Sequence, residues 1–360
     1  MLRLLLILSS LIIAKEAIAL DYSLSGFVGY NHVQSTVHSN LDDNPYDFGL
    51  LFSSDLNENI SASVHLKYTG GEHVEDILAF GFLSYHTDLF KLPIELQVGK
   101  FRYDNGLHGG DLTNPRVRPG IIVPQSIYWD SLRYMRDGYG FRMMTQYKNF
   151  ELSTSIGKSV SHNREQEIFA WLNVPANYLS FNNELDMEGK FGNVFNSFLK
   201  YTDDNNVVKL GYGFVDFNEY IAAEYISFGY QFSFTDWTIE AETLLINPTT
   251  KHTNTSFFNF SSDLNKGYSL SLSYTVNDNV KIYSNYNTYE RKGELVQFDH
   301  NWNRYNDTSI GVMYNITDSI LFRTELHRSE GSSVLTDKYP QSDNNYDNYY
   351  MGAFGITYFF

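Results

Sequence analysis

Residues 268–276 read Tyr-Ser-Leu-Ser-Leu-Ser-Tyr-Thr-Val. Tyr268, Leu270, Leu272, Tyr274 and Val276 point one way, and Ser269, Ser271 and Ser273 the other. Such a period of two marks a strand with one apolar and one polar face. It recurs in 237–246, where Trp237, Ile239, Ala241 and Leu245 oppose Thr238, Glu240 and Glu242. It recurs again in 207–214, where Val208, Leu210, Tyr212 and Phe214 oppose Lys209, Gly211 and Gly213. The composition suits strands, with 28 Tyr and 27 Phe against 8 Pro, since aromatic side chains fit pleated, half-buried surfaces. There is no Cys, which excludes a disulfide frame, a cysteine zinc site and a thiol nucleophile.

The connections alternate in length. Short polar turns fall at 55–59, 87–91, 148–149, 203–206, 235–236, 277–279 and 317–319. Longer polar connections fall at 34–45, 69–75, 104–137, 161–192, 216–222, 247–266, 291–304 and 329–346. Together they separate sixteen expected strands: 22–33, 46–54, 60–68, 76–86, 92–103, 138–147, 150–160, 193–202, 207–215, 223–234, 237–246, 267–276, 280–290, 305–316, 320–328 and 347–360. The 161–192 connection has room for a short helix over Gln166–Leu172 or a further hairpin, which would give 18 strands.

The chain opens with a basic start at Arg3, an apolar run from Leu4 to Ala14 and an Ala17-Ile18-Ala19 site. Residues 1–19 therefore read as a cleaved secretory signal, leaving 20–360 as one barrel domain with no plug domain before it. Lys15 and Glu16 cut the run short of the roughly 20 apolar residues of a helical span, and no other stretch is long enough. Pattern alone does not say which strand face is inside. One face of many strands is rich in Gly and Ser, too hydrophilic for a dry core, while the other ends in Tyr, Phe or Trp, as aromatic girdles do at membrane interfaces. The expectation is an all-β, transmembrane antiparallel β-barrel of a Gram-negative outer membrane, with short turns at one end and long loops at the other.

In the last strand, Tyr350, Gly352, Phe354, Ile356, Tyr358 and Phe360 share one face. Gly355, Tyr358 and the terminal Phe360 resemble the C-terminal assembly signal of outer-membrane barrels, which implies recognition by the barrel-assembly machinery.

Sixteen strands enclose an aqueous lumen. The 104–137 connection, the third long loop, is the candidate for narrowing it. It carries Ile121, Ile122, Val123, Ile127, Tyr128 and Trp129, which a purely external loop has nothing to pack against. Strand 76–86 is apolar on both faces, as if its inward side were covered. The loop is expected to fold into the lumen.

A third loop inside a 16-stranded barrel resembles the Gram-negative porins. Val98-Gly99-Lys100-Phe101-Arg102, then Arg136-Asp137-Gly138, is similar to the matching region of the phosphate-selective group. The Pro-Glu-Phe-Gly-Gly loop motif of general porins is absent, and the second long loop, 69–75, is short where general porins use it to latch subunits. The resemblance implies a channel for passive diffusion of small hydrophilic solutes and ions, and a homotrimer.

Alternation places Lys67, Arg142, Lys148, Lys209, Lys281 and Arg323 inward, with Glu95, Glu151, Glu240, Glu242 and Glu325. Asp111, Arg116, Arg118 and Arg133 join from the loop. Opposed acidic and basic walls would set a transverse field at the constriction, and ring charges set ion preference. Arg suits phosphate or carboxylate; alternatively, these residues pair with one another and solvate the lumen. The formal charge is −16, much of it in long loops, so the mouth favours cations and offers carboxylates for divalent bridges to lipopolysaccharide among the membrane lipids. Cation against anion preference stays open. The acidic balance disfavours nucleic acid. No motif assembles a nucleophile and base, and His65 and His327 read as single structural residues, so no catalytic residue, metal or cofactor is expected. The alternatives are a pore-less receptor or adhesin and, behind it, a barrel protease or phospholipase.

Overall fold

The computed structural model describes residues 21–36, 46–69, 78–103, 106–109, 115–116, 120–122, 124, 125–129, 137–159, 192–217, 221–250, 265–290, 304–331 and 348–360. The expected signal peptide, the 161–191 segment with its alternative helix or hairpin, and Asp111, Arg118 and Arg133 lie outside them.

Sixteen strands form one closed antiparallel barrel. They are β1 (Asp21–Ser35), β2 (Tyr46–Asn57), β3 (Ile60–Thr69), β4 (Leu78–Leu89), β5 (Leu92–Arg102), β6 (Asp137–Tyr147), β7 (Phe150–Ser159), β8 (Asn193–Thr202), β9 (Asn206–Phe217), β10 (Ile221–Phe234), β11 (Trp237–Thr250), β12 (Asn265–Asn277), β13 (Val280–Glu290), β14 (Arg304–Thr317), β15 (Ile320–Gly331) and β16 (Tyr349–Phe359). Each strand pairs with its chain neighbours, and β1 closes on β16 from Phe27↔Phe359 to Ser35↔Met351. The expected strands are all present, several of them extended by a few residues at their ends. Closure leaves no unpaired edge, which a lipid environment requires, and strands of 10 to 15 residues are long enough to cross. Among the described residues, no helix is long and apolar enough to cross a membrane.

Local chemistry sets the short turns. In three of them an Asn or Asp side chain folds back on the backbone: Asn57 Oδ1 accepts from the N–H groups of Asn59 and Ile60, Asp203 Oδ1 from Asn205 and Asn206, and Asn277 Oδ1 from Asn279 and Val280. This is the Asx turn, a side-chain mimic of a backbone turn. Lys148, expected to face inward, instead sits in the β6–β7 turn with φ 52°, its ammonium 5.4 Å from the Tyr147 ring. A left-handed turn position takes it off the strand alternation.

The two faces differ as the alternation demands. On β12, Leu270 and Leu272 are exposed while Ser269, Ser271 and Ser273 are buried inside. At the short-turn end, exposed Tyr147, Phe150, Phe234, Trp237, Tyr358 and Phe360 form an outer aromatic belt. At the other end stand Tyr46, Tyr139 and Tyr350. Between them runs a band that includes Leu96, Leu270, Ile310 and Ile356. In water such a band is unfavourable at about 25 cal/mol per Å²; against lipid it is the matching surface.

Candidate functional site

The loop between β5 and β6 enters the barrel and bonds to its inner wall at three places. The first is residues 106–108 against β11. The Leu107 N–H donates to Glu242 Oε2 at 2.7 Å, and His108 Nε2 lies 3.1 Å from Glu240 Oε2. The Tyr128 hydroxyl donates to Glu242 at 2.6 Å and accepts from the His108 N–H at 3.0 Å. Gly106 has φ 70°, and a Cβ there would meet Glu242 Oε2 at 2.6 Å, so only glycine fits this approach. Burial works against a charged His108, but the Glu240 hydrogen bond and the charges of Glu240 and Glu242 outweigh it and raise its pKa above 6.5. Burial, then the Glu242 charge, pushes the Tyr128 hydroxyl up, so Tyr128 stays a neutral donor.

The second anchor is on β15. Glu325 Oε1 accepts the Ile121 N–H at 2.5 Å and the Tyr283 hydroxyl at 2.6 Å; Oε2 accepts the Ile122 N–H at 3.2 Å and faces His327 Nε2 at 3.0 Å. His327 Nδ1 faces Asp307 at 3.0 Å, and Ser329 Oγ donates to Asp307 at 2.6 Å. Arg323 Nη1 donates to the carbonyls of Gly120 and Pro115 at 3.0 and 3.3 Å. One wall strand thus offers a carboxylate to the loop's N–H groups and a guanidinium to its carbonyls.

The third is a short π-helical turn, Gln125–Trp129, packed on β11, β12 and β13. Ser126 Oγ donates to the Tyr268 carbonyl at 3.1 Å, beside Gly267, where a Cβ would strike the Ser126 backbone. Ile127 and Tyr128 are fully or almost fully buried. Ile121, Ile127 and Tyr128 thus find the inner wall that their sequence called for. Among the described loop residues, the contact surface is β10–β15.

The expected lining charges divide by surroundings. Glu242, Glu325 and Arg323 are buried and bind the loop, and Glu240 holds His108. Arg116 donates to the Asp318 carbonyl in the β14–β15 turn and lies 4.1 Å over the Phe359 ring, at the short-turn end. Arg142 lies 4.4 Å over Phe101 and bonds the Arg102 carbonyl. Lys209 lies 4.4 Å over Phe198. Lys67 faces inward on β3, the parity of buried His65, and Lys281 on β13, the parity of buried Tyr283. β3 and β11 are eight strands apart in a ring of sixteen, so Lys67 and the Glu240–Glu242 pair stand on opposite sides.

Lys200 was not on the expected list. It is inward on β8, between Glu151 on β7 and Lys209 on β9, and its alternation with buried Asn196 and Phe198 would have found it. At the short-turn end of the β3–β7 wall, a cleft of about 530 Å³ is lined by His86, Asp88, Glu95, Gln146 and Glu151 among others. Among the described residues, no cluster of three or more His, Asp or Glu is placed to hold a metal ion.

No family model and no curated protein matches this sequence. Solved structures do. OmpT, an outer membrane protein of Vibrio cholerae, superposes with a TM-score of 0.64 at 10% identity, over 95% of this chain and 98% of that one. A trimer form of the same protein gives 0.61 at 11% identity, over 95% and 99%. Salmonella typhi OmpF, in a complex with daunomycin, gives 0.57 at 13% identity, over 94% and 97%. At these identities the likeness concerns the fold, and in fold the chain is a porin-like, sixteen-stranded outer-membrane β-barrel.

Proposed function

We propose that this chain is an outer-membrane porin: a water-filled channel for passive diffusion of small hydrophilic solutes and ions, narrowed by the 104–137 loop and assembled as a homotrimer in a Gram-negative outer membrane. The observation that carries the reading is the anchoring of the described loop segments on one side of the lumen. Among the described loop residues the bonds run to β11, β12 and β15, so the loop narrows the lumen from that side, toward a wall that carries Lys67, Arg142 and Lys200. A sixteen-stranded barrel is wide enough to leave water beside such a loop. The cations of that wall would bias ions in the remaining gap. Among the described residues, the buried Glu242, Arg323 and Glu325 are engaged in holding the loop, which favours a channel over an enzyme. The long-loop face would meet lipopolysaccharide, and β16, with Gly355, Tyr358 and Phe360, would be read by the assembly machinery.

The test is conductance of the purified, folded barrel in a planar bilayer, with the reversal potential under a salt gradient. Steady steps in groups of three support the trimeric channel, and the sign of the potential assigns ion preference. A folded barrel that gives no steps refutes it in favour of a receptor.

A further inference from the structure

On the wall of β14 and β15 two carboxylates, Asp307 and Glu325, are buried with His327 between them and Arg323 on the same face. Glu325, His327 and Ser329 alternate along β15, so they share its inward side, and Asp307 stands opposite Ser329 on β14. Small residues make the room. Ser309 is opposite His327, and Gly311 is opposite Glu325. A Cβ at Gly311 would strike the Tyr283 ring, so its absence lets Tyr283 reach from β13 across β14 to Glu325.

The hydrogen bonds say which groups carry protons. Glu325 accepts from three donors, the N–H groups of Ile121 and Ile122 and the Tyr283 hydroxyl. Three donors suit an ionised carboxylate, which only accepts. Its fourth neighbour is His327 Nε2 at 3.0 Å. Asp307 accepts from Ser329 Oγ at 2.6 Å and faces His327 Nδ1 at 3.0 Å. Both ring nitrogens therefore face acceptors, and a ring that donates from both is an imidazolium. The charges agree. Arg323 and an imidazolium balance the two carboxylates, whereas a neutral ring between ionised carboxylates leaves one buried negative charge without a counterpart. We propose that His327 is a positioning residue for the inserted loop: as a buried imidazolium clamped between Asp307 and Glu325, it holds the Glu325 carboxylate against the Ile121 and Ile122 N–H groups. The bonds of Asp307 run to His327 and Ser329 and to no described loop residue, so it acts on the loop through His327. The clamp rests on the porin reading only for its consequence, that it sets where the lumen narrows.

A charge clamp predicts rescue by a second substitution, where a packing role predicts added damage. Limited proteolysis of the detergent-folded barrel reads the difference, as cleavage within 115–122 set against cleavage within 106–109, which β11 holds separately. His327→Gln leaves both carboxylates with Arg323 alone, and it should raise cleavage within 115–122 about tenfold or more with 106–109 unchanged. Adding Asp307→Asn removes the surplus charge and should return cleavage to within about threefold of the wild type. A double variant as loose as the single one, or looser, overturns the clamp, as does equal loosening of 106–109. Should His327→Gln fail to fold, as judged by heat-modifiable migration, the double variant should fold, and its failure also overturns the clamp. Nitrogen NMR of the wild-type barrel labelled at its histidine rings gives a second reading at about pH 7, where a free imidazole is mostly neutral. Both ring nitrogens of His327, assigned by their loss in the double variant, should carry protons; one bare ring nitrogen overturns the proposal. Bilayer conductance is recorded on the same preparation. Rescue without conductance sinks the channel reading and keeps the clamp; conductance with added damage does the reverse.

Discussion

Glu325, like Glu242 and Arg323, bonds the loop twice, and replacing it by Ala should loosen the middle of the inserted loop around Ile121 and Ile122. The carboxylate is 2% exposed and accepts the N–H groups of Ile121 and Ile122. A hydrogen bond to a charged group contributes about 1.5–3 kcal/mol, so the two loop bonds together hold this segment by about 3–6 kcal/mol. At about 1.4 kcal/mol per factor of ten, the balance between docked and undocked loop shifts by roughly 10²–10⁴. The barrel itself should survive, because its ladders do not involve this side chain. Glu325→Gln keeps a carbonyl acceptor without the charge and should fall between. The assay is limited proteolysis of the folded barrel in detergent, reading cleavage within 115–122, alongside single-channel current noise. The docked segment should become cleavable and the open-channel noise should rise. A folded Glu325→Ala barrel with wild-type protease resistance and noise would refute the anchoring argument.

Three further outcomes are expected. His108 has a raised pKa because Glu240 and Glu242 outweigh its burial; the stabilisation it gives docked 106–108 is complete below 6.5 and is lost as pH rises through the raised value. Current noise should therefore grow with pH on the alkaline side of 6.5, and His108→Gln should remove that dependence. Gly106→Ala forces a side chain into a left-handed position against Glu242 and Tyr128, which should cost about 1–3 kcal/mol of loop docking, seen as protease sensitivity at 106–109 with unchanged barrel migration. Leu270 is 51% exposed on the lipid side, so Leu270→Arg should lower folding stability in vesicles by about 2–4 kcal/mol, whereas Lys281→Gln on the lumen side should move the reversal potential and leave stability nearly unchanged.

The sequence makes the strands legible because period two is a local property, and Ser269, Ser271 and Ser273 show it without help from tertiary structure. Turn chemistry is equally local, as at Asn57 and Asn277. Roles inside the lumen are another matter. Alternation placed Glu242, Arg323 and Glu325 inward, but not what each one holds. The bond from Leu107 to Glu242 spans 135 residues, and Arg323 meets carbonyls more than 200 positions away. Such pairings follow from the path of the loop, which no periodicity encodes. A bulge in β4, where His65 pairs with Phe80 but Leu66 with Leu78, was hidden for a related reason: Leu78, Phe80 and Phe82 look like one face until Ala79 is known to be extra, and the doubly apolar reading of that strand was its only trace.

The seam between β1 and β16 has a consequence for biogenesis. Gly26 and Phe360 exchange both backbone hydrogen bonds, and the glycine leaves room for the Phe360 ring. The first strand translated therefore waits for the last, and until they meet the sheet carries two open rims able to recruit foreign strands. Pairings that distant in sequence form slowly. The half-made barrel is thus the vulnerable species, and escorting proteins that mask its rims would matter more to yield than any gain in the finished barrel's stability.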